Sequence, residues 1–170
     1  MSPKRTSARI VLLDDEGAVL LLCGSDPAIP DGTAARWWFT VGGRVRPGEL
    51  LASTAARELG EETGLHVAAE RMLGPLWRRS AVIRFNGAVM VSEEFYFIHR
   101  THRFEPSPSG RTRLERRYIH GHRWCDPADI AALEASGQRV YPLQLAELLP
   151  EARRLAATRP PPPAEPQVIR

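Results

Sequence analysis

Between Gly43 and Leu65 the chain reads G-R-V-R-P-G-E-L-L-A-S-T-A-A-R-E-L-G-E-E-T-G-L. From Leu51 to Glu62 the residues are good helix formers. Ser53 and Thr54 stand near the start and Gly64 lies just past the end, so the stretch predicts one helix. At about 100° per residue, Glu58, Glu61 and Glu62 fall within one quadrant. Ala52, Ala55, Ala56 and Leu59 fall on another face, suited to packing on a sheet. Carboxylates at i, i+3 and i+4 repel one another, and the sole nearby cation is Arg57. A helix built only for stability would intersperse lysines. Oxygen ligands clustered in this way suit a hard divalent cation such as Mg²⁺, which commonly bridges substrate phosphates.

The rest of the chain supplies strands before this helix and strands and helices after it. Ala8 to Leu13 and Ala18 to Cys23 are short β-like runs around the turn signal Asp14-Asp15-Glu16-Gly17, which predicts a hairpin. Both runs are nearly all apolar, as expected of strands covered on both faces. Gly24 to Arg36 is a loop by its prolines and glycine. Trp37 to Val41 is a β-prone run leading into Gly42-Gly43. Neighbours in a strand face opposite ways. One of Trp37 and Trp38 is therefore core, and the other, taken here as Trp38, is a candidate to stack on a base. His66 to Ala69 reads as a short strand. Leu76 to Arg84 and Ala88 to Ser92 flank Asn86-Gly87, the strongest short hairpin signal. Glu94 to His99 is a further strand, placed centrally. His102 to Arg113 is a loop, and a strand lies around His122 to Trp124. Asp126 caps a helix with Pro127 at its first position. Pro142 to Ala157 is a C-terminal helix with a potential break at Pro150. Residues 158–170 form a proline-rich tail without core-forming character and are expected to be disordered. One domain over residues 1–157 is expected, of α/β (α+β) class, a mixed sheet sandwiched between helices.

The stretch from Gly43 to Leu65 resembles the Nudix hydrolase signature, G-x5-E-x7-R-E-U-x-E-E-x-G-U, where U is aliphatic. Gly43, Glu49, Arg57, Glu58, Leu59, Glu61, Glu62, Gly64 and Leu65 fill every fixed place at the required spacing. Many relatives carry proline before the paired glycines, where this chain has Val41, so the subfamily does not follow from the signature. The resemblance implies an α/β/α sandwich with the signature as a loop-helix-loop at one sheet edge. It implies Mg²⁺-dependent hydrolysis of the pyrophosphate linkage in a nucleoside diphosphate derivative, such as a nucleoside triphosphate or ADP-ribose, with Mn²⁺ as a substitute metal. Metal ligands implied are Glu58, Glu61, Glu62 and the backbone carbonyl near Gly43. The general base in this family is sometimes a signature glutamate and sometimes one outside it. Glu115 and Glu94 are the outside candidates, and Glu115 is favoured because an acidic residue ahead of a tryptophan such as Trp124 often completes the metal site in relatives. Glu49 and Arg57 are read as bracing the loop and orienting the ligands. Arg44 and Arg46, inside the signature loop, are the favoured phosphate binders among arginines 44, 46, 78, 79, 84 and 111. Nudix domains are often homodimers. A catalytically silent nucleotide-binding or sensing domain on the same scaffold is the alternative.

Charge and cysteine usage narrow the remaining classes. The net charge is +3 and Lys4 is the only lysine. The pI near 9.3 therefore reflects arginine usage. No basic cluster with interleaved aromatics marks a nucleic-acid surface. Cys23 and Cys125 form no C-x-x-C pair, and no apolar run reaches the ~20 residues of a membrane span. A cytoplasmic enzyme acting on a small nucleotide-type molecule, away from membranes, is the expectation.

Overall fold

Ile10 to Leu13 and Val19 to Leu22 are apolar at every position, so a strand made from either must bury both faces. In the computed structural model, which describes residues 3–30 and 32–170, they do so. They lie in β1 (Lys4–Leu13) and β2 (Val19–Ser25), and none of the eight is more than 1% exposed. Side chains alternate between two cores. Val11, Leu13, Val19 and Leu21 enter one cluster, and Ile10, Leu12, Leu20 and Leu22 enter the other. The sheet is therefore the middle layer of a sandwich.

The other strands are β3 (Arg36–Arg44), β4 (Leu73–Phe85), β5 (Ala88–Arg100), β6 (Ile119–Cys125), β7 (Arg139–Tyr141) and β8 (Gln167–Val168). Their order is β6-β2-β3-β1-β5-β4-β8, with β7 added alongside β3. The sheet is mixed: β1 runs parallel to β5, β3 to β7 and β4 to β8, while the remaining pairs are antiparallel. Helix α1 (Leu51–Thr63) covers one face through Ala55 and Leu59, both fully buried, with Leu51, Ala52 and Ala56 packed beside them. Helices α3 (Pro127–Ala135) and α4 (Leu145–Thr158) cover the other. Helix α2 (Arg113–Tyr118) precedes β6.

Several sequence expectations change in detail. The expected hairpin of β1 and β2 pairs only at Leu13 and Val19. The strands diverge beyond that point because β3 inserts between them, pairing with β1 at Ser7 to Ile10 and with β2 at Leu21 to Ser25. His66 to Ala69 forms no strand. Leu65 and Val67 pack on the core, but no strand lies alongside to complete a ladder, and the chain turns through a 3₁₀ segment at Ala69–Arg71. The expected strand at Glu94 to His99 is continuous with Ala88 to Ser92, making one long β5 flanked by β1 and β4. The hairpin at Asn86-Gly87 forms as expected, with both residues at positive φ (51° and 79°). Asp126 caps α3 in a capping box with Asp129. Helix α4 starts at Leu145 rather than Pro142 and runs through Pro150 without interruption.

The proline-rich tail is the largest correction. It folds back and docks. β8 pairs with β4 at Trp77 and Arg78, and the Ile169 N–H donates to the Arg78 carbonyl at 2.9 Å. Ile169 is 5% exposed and belongs to the core cluster beneath α3 and α4. A single isoleucine and a short backbone ladder thus anchor a segment whose composition is that of an unstructured chain. Because truncating a buried isoleucine to alanine costs about 2–5 kcal/mol, Ile169→Ala should lower the guanidinium midpoint without changing the m-value. An unchanged midpoint in chemical denaturation would show that the tail contributes nothing to the fold.

Candidate active site

The chain turns from β3 into α1 through Gly42 and Gly43, and this turn sets the site. Gly42 has φ 144°, and a Cβ there would strike the Ala8 carbonyl and the Arg9 backbone. A Cβ at Gly43 would meet the Glu58 carboxylate. Glycine is required at both positions for close approach, which lets a helix carboxylate lie against the strand backbone. At the far end, Gly64 takes the left-handed conformation (φ 83°) and donates its N–H to the Gly60 carbonyl.

Three carboxylates from two helices converge here. Glu58 and Glu62 of α1 and Glu115 of α2 each offer an oxygen, and the three oxygens lie within 4.8 Å of one another. All three residues are buried. The Gly42 N–H donates to Oε1 of Glu62 at 2.7 Å, whereas Oε2 of Glu62 is buried without a partner. Burial raises Glu62 well above the ordinary carboxylate pKa, and repulsion from Glu58 and Glu115 adds to it against the Gly42 bond and Arg9. Burial likewise raises Glu58, with Glu115 and Glu61 adding to the shift and Arg57 opposing it. Glu115 is held by the capping box that starts α2. Its Oε1 accepts the Thr112 N–H at 2.9 Å, and its own N–H donates to the Thr112 hydroxyl.

Arg57 braces this group. Its Nε and Nη2 donate to the two oxygens of Glu49 at 2.8 and 2.9 Å, a bidentate pair. Nη1 donates to Glu58 at 3.0 Å and Glu61 at 3.2 Å, and Nη2 also donates to the Arg44 carbonyl. Glu49 additionally accepts from the Thr54 hydroxyl and the Arg46 N–H. Hydrogen bonds from Arg57 lead the causes that hold Glu49 down at about 2. The signature loop is thereby fastened to the helix it precedes.

Glu58 and Glu115 open onto a cleft of about 710 Å³, lined also by Gly43 and Glu61 among others, with Glu62 behind its wall. Glu61 is not in the three-carboxylate group. Its oxygens meet Arg57 and, at 3.5 Å, Arg46. Arg44 and Arg46 both line the cleft. The two glutamates outside the signature separate clearly. Glu115 joins the group, whereas Glu94 does not: Arg9 donates to its Oε2 at 2.8 Å, and Arg79 donates to its Oε1. Burial alone would raise Glu94, but the two arginines outweigh it and hold the carboxyl below its usual range. Glu94 is thus engaged by two arginines and stands outside the three-carboxylate group. Trp38 is corrected. It lies on the face of β3 toward α3 and α4 and donates its indole N–H to Gln138 at 2.7 Å. Trp37, on the opposite face, lines the cleft. Phe85 stands edge-on to Trp37 and to Tyr118, with ring centroids 6.5 and 5.0 Å apart. Arg5 and Arg9 were not singled out from the sequence. Their signal was the polar alternation Arg5, Ser7, Arg9 leading into an otherwise apolar strand.

A family model, the NUDIX domain, matches residues 3–144. The chain belongs to the Nudix hydrolases, a family of pyrophosphohydrolase enzymes. Solved structures agree at the level of the fold. The E. coli dihydroneopterin triphosphate pyrophosphohydrolase is 20% identical with a TM-score of 0.59, over 89% of this chain and 97% of that one. A NUDIX hydrolase from Nitrosomonas europaea is 23% identical with a TM-score of 0.59, over 95% and 93%. A MutT protein from Methanosarcina mazei Go1 is 20% identical with a TM-score of 0.54, over 90% and 95%. No curated protein matches the sequence. Among the described residues no helix is long and apolar enough to cross a membrane.

A buried, self-repelling carboxylate group should weaken the metal-free fold. Glu62→Gln keeps an acceptor for Gly42 and removes a charge, so it should stabilise the protein in EDTA by at least about 1 kcal/mol at neutral pH. The sign follows from the raised pKa. Folding favours the protonated carboxyl, so wild-type stability falls as pH rises from the ordinary carboxylate value toward the folded one. The advantage of Glu62→Gln should therefore grow from pH 5 to pH 8 in denaturation series, and a pH-independent difference would contradict the burial of this charge.

Proposed function

We propose that the protein hydrolyses the pyrophosphate linkage of a nucleoside diphosphate derivative, such as a nucleoside triphosphate or ADP-ribose, with Mg²⁺ as its metal and Mn²⁺ able to replace it. The observation that carries this reading is the convergence of Glu58, Glu62 and Glu115 within 4.8 Å, with one buried Glu62 oxygen left unpartnered. Such a donor set is all oxygen and highly anionic, which fits a hard divalent cation. Glu58, Glu62 and Glu115 would hold it, and Glu61 and the Gly43 carbonyl are further donors at the cleft wall. When bound, the cation neutralises the diphosphate and lowers the pKa of a coordinated water.

The chain's own residues supply the remaining parts of this mechanism. Glu62 sits behind the cleft wall, its Oε1 fixed by Gly42, which suits a permanent ligand. Glu58 lines the cleft, where it serves as a ligand to the cation or, with the cation held by Glu62 and Glu115, as the base that takes the proton of the water. Arg57 orients Glu58 while Glu49 fixes Arg57, so the pair acts on catalysis through Glu58. Arg44 and Arg46 line the path to the carboxylates and counter phosphate charge. Trp37, Phe85 and Tyr118 present aromatic edges and faces to the same cleft, a wall suited to a nucleobase. The free, buried thiols of Cys23 and Cys125 suit a reducing cytoplasm.

The test is Mg²⁺-dependent turnover of a panel of nucleoside diphosphate derivatives, abolished by EDTA. Replacing a residue that only supports a metal ligand costs 10–100-fold in affinity or activity, so Glu62→Gln should cost at least about a hundredfold in kcat/KM. Undiminished turnover in that variant would overturn Glu62 as a metal ligand, and no turnover of any substrate by the wild-type protein would leave a binding domain. Stacking on a base is worth about 1–3 kcal/mol. Trp37→Ala should accordingly raise KM roughly tenfold with a much smaller change in kcat, measured by steady-state kinetics on the best substrate of the panel.

A further inference from the structure

The cleft has a second charged pole, joined to the carboxylate group through Gly42, whose N–H donates to Glu62 and whose carbonyl accepts from Arg9. Arg5 and Arg9 stand on one face of β1, Glu94 on β5 and Arg79 on β4, and all four line the cleft. Arg9, Arg79 and Glu94 are nearly buried, with side chains 12%, 11% and 4% exposed. Three guanidinium groups face one carboxylate, so the cluster carries uncompensated positive charge at low solvent exposure. The nearby Tyr96 phenol does not offset it, since burial and Glu94 keep that hydroxyl protonated.

The hydrogen bonds show which atoms remain for a ligand. Glu94 is consumed: Oε2 accepts from Arg9, and Oε1 accepts from Arg79 and from the Tyr96 hydroxyl at 3.4 Å. Arg9 spends Nε on Glu94 and Nη1 on the Thr40 and Gly42 carbonyls at 3.3 and 3.1 Å, which leaves Nη2 unengaged by any described residue. Glu94 engages only Nη1 of Arg79. The cluster therefore presents donors and positive charge, and no acceptor, to a ligand. Those donors are already aligned, because Glu94 and the β3 carbonyls fix the guanidinium planes. Arginine forks of this kind match the oxygens of a phosphate. The carboxylate group at the other pole is accounted for by the metal and the scissile linkage, so the arginines address a different part of the substrate.

We propose that Arg5, Arg9 and Arg79, the last two oriented by Glu94, form a second phosphate-binding subsite. The preferred substrate then carries a phosphate beyond the diphosphate that is cleaved. This rests on the hydrolytic reading above and narrows its substrate class to nucleotides with a third, non-scissile phosphate. Arg9 and Arg79 are binding residues here, and Glu94 is a positioning residue.

Two measurements test it. The first needs no turnover. In EDTA, inorganic phosphate should raise the thermal midpoint of the wild-type protein above a sodium chloride control of equal ionic strength, and Arg79→Gln should lose most of that shift. Equal shifts in both proteins would overturn the subsite. The second compares a nucleoside triphosphate with a nucleoside diphosphate linked to a neutral hexose. The wild-type protein should prefer the triphosphate in kcat/KM, and Arg79→Gln should reduce that preference by roughly tenfold or more, the size of one lost charged hydrogen bond. An unchanged preference would mean that the arginines serve the scissile diphosphate itself, and the inference fails. If Arg79→Gln does not fold, Arg5→Gln, which has no bond to Glu94, serves in both experiments. Absence of hydrolysis of either substrate by wild type would sink the proposed function alone, since phosphate binding is read separately.

Discussion

Two unit charges of like sign 4.8 Å apart repel by roughly 3 kcal/mol at an effective dielectric of 20. Burying Glu58, Glu62 and Glu115 at that separation is therefore the constraint around which the rest of the molecule is arranged. The protein relieves it in two ways. It lets the pKa values of Glu58 and Glu62 rise, and it sets Arg57 against one side of the group. Its bidentate bond to Glu49 and its bond to the Arg44 carbonyl fix Arg57 in that position. The loop before the helix, the helix and the end of β3 are thus tied through one guanidinium. What remains uncompensated is Oε2 of Glu62, a local conflict of the kind that folds tolerate where function requires it.

The two glycines at the end of β3 explain why the helix lies so close. With side chains at Gly42 and Gly43, β1 and the Glu58 carboxylate of α1 would be pushed away from β3, and the Glu62 carboxylate would lose its bond to the Gly42 amide. Gly42 also joins the two poles of the cleft. Its N–H holds Glu62 and its carbonyl holds Arg9. One peptide unit on each side of this residue thus registers an acidic pole against a basic one.

Most of the acidic helix was legible from spacing alone. Its apolar face and its glycine stop follow from a period of 3.6 residues and are found where expected, whereas of its three carboxylates Glu58 and Glu62 come together and Glu61 meets Arg57 and Arg46. The hairpin at Asn86 and the cap at Asp126 were legible because turn and cap chemistry is local. What escaped was non-local. Nothing within Ala8 to Cys23 says that β3 will come between β1 and β2. The choice between Trp37 and Trp38 depends on which face of β3 meets α1, and that is set by register across the sheet. Glu94 and Glu115 look alike in sequence, and only the distant Arg9 and Arg79 distinguish them. The short α2 was signalled by Thr112 and Glu115 at capping-box spacing, but six residues offer too little periodicity to be read as a helix. The tail misled because its prolines dominate its composition, while a single isoleucine decides its fate.

That isoleucine matters for more than the core. A long outer strand such as β4 exposes a row of unsatisfied backbone groups and invites pairing with another molecule. β8 covers part of that row at Trp77 and Arg78 with only two residues of its own. It offers a much shorter rim in turn, preceded by prolines that cannot donate to a growing ladder. The polyproline run is in this sense a selvedge, a finished border that keeps the weave of the sheet from being extended by a neighbour.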